Sequence, residues 1–547
     1  MILTRERLSK YVGKPLSLAE IVKWLPWLGF DIEEVGEDEV KVEFNPNRID
    51  FSSYMGVARA LKGLRGWELG LQKYDLQKGK TVLKVDSAVS AVRPFMLGAI
   101  VRNLKLNEEE VAELMEIQED LHWGIGRDRV KASIGVHNLD GINPPFTFTA
   151  IKPNAMKFAP LGTTKEMSLW EILKNHEKGV QYKHLIDWAS EYPLLVDRDG
   201  KVLSMPPIIN GELTRVDENT ENLFLDVTGT DYEAVNKSLN VLSTALADMG
   251  GRVETVKVEY PNRTVHSPNF TPQKMNLQTR FVNDLLGLKL SQANIIESLK
   301  KCRLGAKKNG KEAIEVAIPV YRIDIFHEVD LVEEVAIGHG YYKLKPTLPS
   351  SVTIGKQHPA YIMANRARQI MIGLGFVEVL NFTLTNEHLH YKKMRRKAQK
   401  PVKLANPVSS EYTIMREDLL PYLMKNLAEN KHESFPQKLF EVSDVVNQNS
   451  KMESRCERLM HLAAVSSHSS ANFTEIRSAV EALLSNMGVR HWDVRAVKHP
   501  SFTEGRIAAL NVKKKQIGIV GEVHPEVLNN FELENPTAAF EVNLEIL

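Results

Sequence analysis

Three observations predict a multidomain α+β protein: the length, the alternation of period-two strand patterns with amphipathic helical stretches, and the lack of any solenoid or propeller repeat. At 547 residues the chain has room for roughly three to four domains. Hydrophobic residues make up 43% and charged residues 25%, a globular balance that excludes disordered, collagen-like and fibrous classes. Lys and Arg number 70 against 69 Asp and Glu, a net charge of +1. No overall field therefore holds the chain on a nucleic acid or an anionic membrane, and any such contact rests on local patches.

Only two cysteines occur, Cys302 and Cys456, without CxxC partners. This excludes a disulfide framework and a thiolate zinc site, and fits a reducing compartment. The N-terminal MILTRERLSKYVGKP carries charge where a signal peptide needs an apolar core, and no apolar stretch is long enough to span a membrane, so a cytoplasmic location is expected.

Residues 1–80 read as an N-terminal α+β domain. SLAEIVKWLPWLGF is helical in pattern, Val40 to Phe44 alternates as a strand, and a loop from Asn45 to Asp50 leads into the helix of SSYMGVARALKGLRG, with Asp50 and Ser53 as N-cap candidates. Residues 81–265 form a mixed α/β domain. In it Asp197-Arg198-Asp199-Gly200 turns a hairpin, Leu223 to Val227 reads as a buried strand, and Thr228 to Asp231 caps the periodic helix TDYEAVNKSLNVLSTALADMGG. Residues 266–350 form a small winged-helix-like α+β module: helices at QTRFVNDLLG and after Ser291, a hairpin turning at Lys308 to Lys311, and an acidic helix after Ile325. Residues 351–547 alternate helices such as AYIMANRARQIMIGLG with strands such as KLFEVSDVV and IGIVGEV, as an α+β domain on an antiparallel sheet.

Several familiar motifs fail on chemistry. The run from Gly305 to Glu312 has phosphate-loop spacing, but Glu312 stands where a magnesium-binding hydroxyl belongs and a strand follows instead of a helix. His327-Glu328-Val329-Asp330 lacks the second histidine of a zinc-protease helix. Three clusters remain. Asp324, Asp330, Glu333 and Glu334 supply oxygen ligands suited to a hard cation, or form a solvated acidic face at a helix N-terminus. Ser204, Asn210, Asp226 and Thr228, beside Pro206-Pro207 and Gly211, line a small pocket that orients a water and a hydroxyl, or serve as turn residues. With no histidine expected nearby to act as base, a covalent nucleophile is excluded there. Lys392, Lys393, Arg395, Arg396, Lys397, Lys400 and Lys403 place seven cations in twelve residues, a phosphate-binding patch or a solvated helix face.

The segments FNPNRIDFSSYMGVARALKG, KASIGVHNLDGINPPFTFTA, SMPPIINGELT with LFLDVTGTD, YRIDIFHEVDLVEEVAIGHGY, and GRIAAL with IGIVGEVHPEVLNNFEL occur in order over almost the whole chain. Together they resemble the phenylalanyl-tRNA synthetase β chain of the archaeal/eukaryotic type. The resemblance implies a class II aminoacyl-tRNA synthetase of two α and two β chains that charges tRNA(Phe) with phenylalanine using ATP, with the synthetic site on α. It implies a B3/B4-like editing domain over 81–265, a B5-like domain over 266–350, and a catalytic-like but inactive domain over 351–547. Met415-Arg416-Glu417-Asp418 leads straight into the helix LLPYLMKNLAEN, and AAFEVNLEIL has no Gly-rich arginine motif, in keeping with that inactivity. Carried over by resemblance, magnesium shared with α falls on Asp324, Asp330, Glu333 and Glu334. The editing pocket for mischarged Tyr-tRNA(Phe) falls on Leu195, Ser204, Asn210, Asp226 and Thr228, and tRNA contacts on Lys392, Lys393, Arg395, Arg396 and Lys397. His137 is placed near the editing side without a role. The alternative is a structural, tRNA-docking subunit with an inactive pocket.

Overall fold

The structure is a computed structural model that describes residues 1–348 and 353–546. It divides into two compact units, Met1–Thr347 and Leu348–Leu547, and the expected boundary between residues 350 and 351 lies outside the described residues.

The first unit opens with a three-stranded antiparallel sheet in the order Ile2–Thr4, Glu39–Phe44, Phe30–Val35. Helices Arg5–Val12, Leu18–Trp24 and Tyr54–Leu64 belong to the same layer. Ser17 and Glu20 close a capping box on the second helix, and the Ser53 hydroxyl caps the third by accepting from the Gly56 amide at 3.0 Å. Asp50, the other cap candidate, does not cap: it is buried, and its carboxylate takes the Arg48 guanidinium at 2.9 and 3.0 Å. A carboxylate removed from water is held by a cation more strongly than by a frayed helix end.

Residues 76–267 form an 11-stranded assembly in which one long strand, Arg252–Tyr260, belongs to two sheets. Its first half pairs with Phe95–Arg102, and its second half with Val82–Val85 and Arg263–Ser267. One sheet continues through Phe95–Arg102 and Leu223–Gly229 to Ala132–Asn138, and the other through Val82–Val85 and Phe146–Ile151 to Tyr192–Val196, Val202–Met205 and Ile209–Asn210. All seven residues of Leu223–Gly229 are buried. Helix Tyr232–Asp248, capped by Asp231 on the Ala234 amide, covers the sheet on one side. On the other side Phe224 stacks on Phe146 of the second sheet with centroids 4.3 Å apart. The expected hairpin is present: Asp197 accepts the amides of Asp199 and Lys201, each at 2.9 Å, and Gly200 takes the left-handed conformation that closes the turn.

The last part of this unit is a three-stranded antiparallel sheet in the order Gln273–Gln278, Ala313–Ile318, Gly305–Asn309, packed against helices Thr279–Leu286, Gln292–Lys301 and Glu328–His339. The phosphate-loop look-alike is therefore a hairpin. The strand Gln273–Gln278 carries almost no sequence signal, because one face is fully polar and only Leu277 is buried.

The second unit is a seven-stranded sheet in the order Val377–Glu378, Gln437–Gln448, Cys456–Ser467, Thr537–Asn543, Lys515–Val523, Phe502–Val512, Trp492–Ala496, antiparallel except at the first pair. Helices Pro359–Gly373 and Phe473–Asn486 contribute to the core on one face, and Leu420–Glu429 and Pro525–Asn530 to that on the other. Arg416 enters this core fully buried and donates to Glu441 at 2.8 Å and to the Asp444 carbonyl at 3.0 Å. No helix among the described residues is long and apolar enough to cross a membrane.

Candidate active site

The free ends of the two sheets meet. Asn210, on the last strand of one, donates its amide Nδ2 to the Val136 carbonyl of the other at 3.3 Å. A cavity of about 520 Å³ lies at this junction. Strand pairing sets its lining. In the register between Leu223–Gly229 and Ala132–Asn138, Phe224 faces His137, Asp226 faces Gly135 and Thr228 faces Ser133. The period of two puts all six on the face between the sheets. In the hairpin sheet Ser204 pairs with Asn210.

Ser204, Asn210 and Asp226 thus converge on one cavity with Pro206 and Pro207. The Ser204 hydroxyl is buried and has no hydrogen-bond partner among the described residues, a cost that a bound water or ligand group offsets. Thr228 lies below the cavity floor, fully buried, bonded through Oγ1 to Arg93 Nε at 3.0 Å and to Ser133 Oγ at 3.1 Å. Leu195 is paired with Ser204 across the hairpin, but its side chain is in the hydrophobic core and is not part of the lining. Leu195 and Thr228 therefore support the wall from behind.

The expectation from the local motif, that no histidine stands near Asp226, is overturned by His137, the residue that the resemblance places near the editing side. His137 Nε2 is 2.6 Å from Asp226 Oδ2, and its Nδ1 is 2.8 Å from Thr214 Oγ1. Eighty-nine residues separate the pair in the chain, so nothing local announces it; the antiparallel register creates it. One signal was present: Ser133, Gly135 and His137 alternate with apolar Ile134 and Val136 in SIGVHN, marking one face as polar. A Cβ at Gly135 would fall 2.1 Å from Asp226 Oδ2, so only glycine leaves the carboxylate room.

Two further groups from helix Glu108–Trp123 and the loop after it line the cavity. His122 Nε2 accepts the Ile134 amide at 2.8 Å, which leaves the proton on Nδ1, facing Glu119 at 3.3 Å. Burial lowers its pKa, in keeping with a neutral ring. Arg129 donates to the Pro207 and Ile208 carbonyls at 3.2 and 3.0 Å and tethers the proline turn. On the same helix, burial, reinforced by Glu116 and Glu119, pushes the Asp120 carboxyl up to about 6. A carboxyl raised in the folded state adds stability below its unfolded value of 3.8 and loses it as the pH rises through about 6. Asp120→Asn is therefore expected to stabilise the protein at neutral pH by about 1–2 kcal/mol, after solvent screening. Denaturant midpoints across pH will show this gain vanish in acid.

The four acidic residues are arranged differently from a closed ion site. Arg322, buried, donates to Asp324 at 2.7 and 2.9 Å and to Glu334 at 2.6 and 2.8 Å. Asp330 Oδ2 accepts the Phe326 and His327 amides, each at 2.7 Å, as a capping group of helix Glu328–His339. Asp324, Glu333 and Glu334 line one pocket of about 270 Å³. Partial burial and the carboxylates of Glu334 and Asp324 raise the Glu333 pKa. Among the described residues no three His, Cys, Asp or Glu side chains gather as metal ligands. The donor types suit magnesium.

The basic run is split. Arg396 pairs with Asp418 at 2.5 Å, Arg395 with Glu526 at 2.7 Å and Lys403 with Glu387 at 2.6 Å. The Lys393 ammonium sits 5.0 Å over the Phe531 ring. Lys392, Lys397 and Lys400 are exposed, with no ion pair among the described residues.

Comparison with known proteins defines first a class and then a family. Residues 275–341 match the model described as the tRNA synthetase B5 domain, and residues 344–544 that of the phenylalanyl tRNA synthetase beta chain CLM domain, so the chain carries aminoacyl-tRNA synthetase modules. It is 46% identical to the phenylalanine–tRNA ligase beta subunit of Archaeoglobus fulgidus, over 96% of this chain and 94% of that protein. It is 44% identical to that of Methanosarcina barkeri, over 96% and 95%. The crystal structure of an N-terminal fragment of the phenylalanyl-tRNA synthetase beta subunit from Pyrococcus horikoshii superposes with a TM-score of 0.60 at 37% identity, covering 62% of this chain and 99% of the fragment. The chain belongs to the phenylalanyl-tRNA synthetase β-chain family.

Proposed function

We propose that this chain pairs with an α chain, two of each, in a cytoplasmic phenylalanine–tRNA ligase that charges tRNA(Phe) using ATP, and that its own cavity hydrolyses tyrosine wrongly attached to that tRNA. The observation that carries the hydrolytic part is the convergence of Ser204, Asn210 and Asp226 on one cavity built from two sheet ends. A pocket made for phenylalanine excludes one added hydroxyl only weakly, by about a hundredfold in comparable sites, whereas a site that demands the hydroxyl discriminates far better. Here Asn210 donates through Nδ2 to Val136, which leaves Oδ1 as an acceptor for a phenol. Ser204, unpartnered, holds the attacking water or the ester carbonyl. No group in the lining is arranged as a covalent nucleophile, so the step rests on an oriented water and the terminal ribose hydroxyl. The assembled complex should release tyrosine from Tyr-tRNA(Phe) and spare Phe-tRNA(Phe). Failure to release tyrosine would favour the structural, tRNA-docking reading.

Synthesis is assigned to the α chain. In the second unit Arg416, the arginine of the Met415-Arg416-Glu417-Asp418 run, is buried against Glu441, out of reach of a nucleotide. Lys392 and Lys397, exposed, are the members of the basic run best suited to tRNA phosphates, with Lys393, Arg395 and Arg396 anchoring the segment. Magnesium is proposed on Asp324, Asp330, Glu333 and Glu334 only with donors from the α chain, where it would screen their mutual repulsion. Chelation should then lower the melting temperature of the complex but not that of this chain alone, and Glu333→Gln should shrink the difference.

A further inference from the structure

Asp226 is 1% exposed, yet its carboxylate is part of the cavity lining. Its sole side-chain hydrogen bond among the described residues is the one from His137 Nε2 at 2.6 Å. Thr214 Oγ1 lies 2.8 Å from His137 Nδ1, and 3.2 and 3.4 Å from the Gly211 and Leu203 carbonyls. His137 thus sits between the Thr214 hydroxyl at Nδ1 and the Asp226 carboxylate at Nε2, and the two contacts fix the orientation of the ring against Asp226. The ring plane is held by stacking on Phe224, with centroids 5.9 Å apart. Arg93, a buried cation, donates to Thr228 and to the Arg129 carbonyl and makes no bond to Asp226 among the described residues. The cavity floor therefore carries a buried carboxylate that is oriented by His137 and has no Arg or Lys ion pair among the described residues, and a buried charge of this kind is stabilised by a cationic ligand.

We infer that Asp226 is the receptor for the free α-ammonium group of the aminoacyl ester, and that His137 is the positioning residue that turns its carboxylate into the cavity. This rests on the hydrolytic reading given above and adds the substrate class: an aminoacyl ester with an unblocked amine, in contrast to N-acylated or desamino esters. Gly135 is the third part of the device, since its missing side chain is the space the carboxylate occupies.

The test is binding to the full-length chain by calorimetry, with tyrosinamide and desaminotyrosinamide, which lacks only the amine. Tyrosinamide should bind roughly tenfold or more tighter, as expected for a charge-assisted bond in a buried site. Asp226→Asn, which keeps the shape and the His137 contact, should erase that preference by weakening tyrosinamide far more than desaminotyrosinamide. Gly135→Ala should reduce the preference without removing any charge, and His137→Gln should retain more of it than His137→Ala. A structural role alone would weaken both ligands together. Equal affinity for the two ligands, no binding of either, or a preference that survives Asp226→Asn in a variant with unchanged melting temperature overturns the inference. If the preference is present but Tyr-tRNA(Phe) is not hydrolysed, the hydrolytic reading falls and the ammonium site stands.

Discussion

Asn210→Ala lowers hydrolysis of Tyr-tRNA(Phe) by the assembled complex roughly ten- to a hundredfold, while the slow hydrolysis of Phe-tRNA(Phe) stays where it was. The expectation follows from the way the amide is held. Nδ2 is committed to the Val136 carbonyl at 3.3 Å, so the side chain cannot turn over without losing that bond, and Oδ1 is left to accept. Phenylalanine offers it nothing. Removing the amide therefore removes an interaction made only with tyrosine, and the two substrates approach each other in rate. Single-turnover deacylation of both tRNAs decides the point: equal losses on the two would mean that Asn210 only shapes the wall. Because Asn210 also ties the two sheet ends together, the melting temperature of the variant belongs in the same experiment.

The second large effect is on stability. Arg416 and Glu441 are both fully buried and 2.8 Å apart. Glu441 also accepts from Asn381 Nδ2 at 2.8 Å, so the carboxylate is built into the core. Arg416→Met leaves Glu441 as a buried charge without its cation and is expected to cost about 3–5 kcal/mol. Replacing both, Arg416→Met with Glu441→Leu, should recover much of this loss, because the desolvation penalty of two ions disappears together with their attraction. Urea denaturation of the two variants, followed through the transition of the second unit, checks both statements. A double variant as unstable as the single one would show that the hydrogen bonds around Glu441 matter more than the ion pair.

The hairpin at Asp197 to Gly200, the buried strand from Leu223 to Val227, which the structure extends to Gly229, and the helix after Asp231 were each legible because their signals are local. A turn needs a left-handed residue and a side chain that accepts nearby amides, and a helix needs a cap. The grouping of Ser204 with Asn210 is nearly local too, since the two strands follow one another in the chain. Asp50 shows the limit of such signals. Its spacing before a helix is right for a cap, yet burial beside Arg48 and Arg59 selects an ion pair instead. In the same way the density of carboxylates from Asp324 to Glu334 is plain in the sequence, but Arg322, which ties up two of them, acquires that role only when the chain folds back.

By itself the sequence determined the mixed α and β class of the fold, the family, and which short polar residues deserve notice around 204–228. Tertiary structure alone decided that Asp226 meets His137 across the sheet, that Gly135 makes room for it, and that Leu195 and Thr228 stand behind the wall. It also separated the basic run into paired and exposed members. The reason is physical: propensity, capping and turn chemistry act over a few residues, whereas strand register and desolvation are set by partners far away in the chain. A residue's role in a site is fixed by which partners remain once water has been excluded.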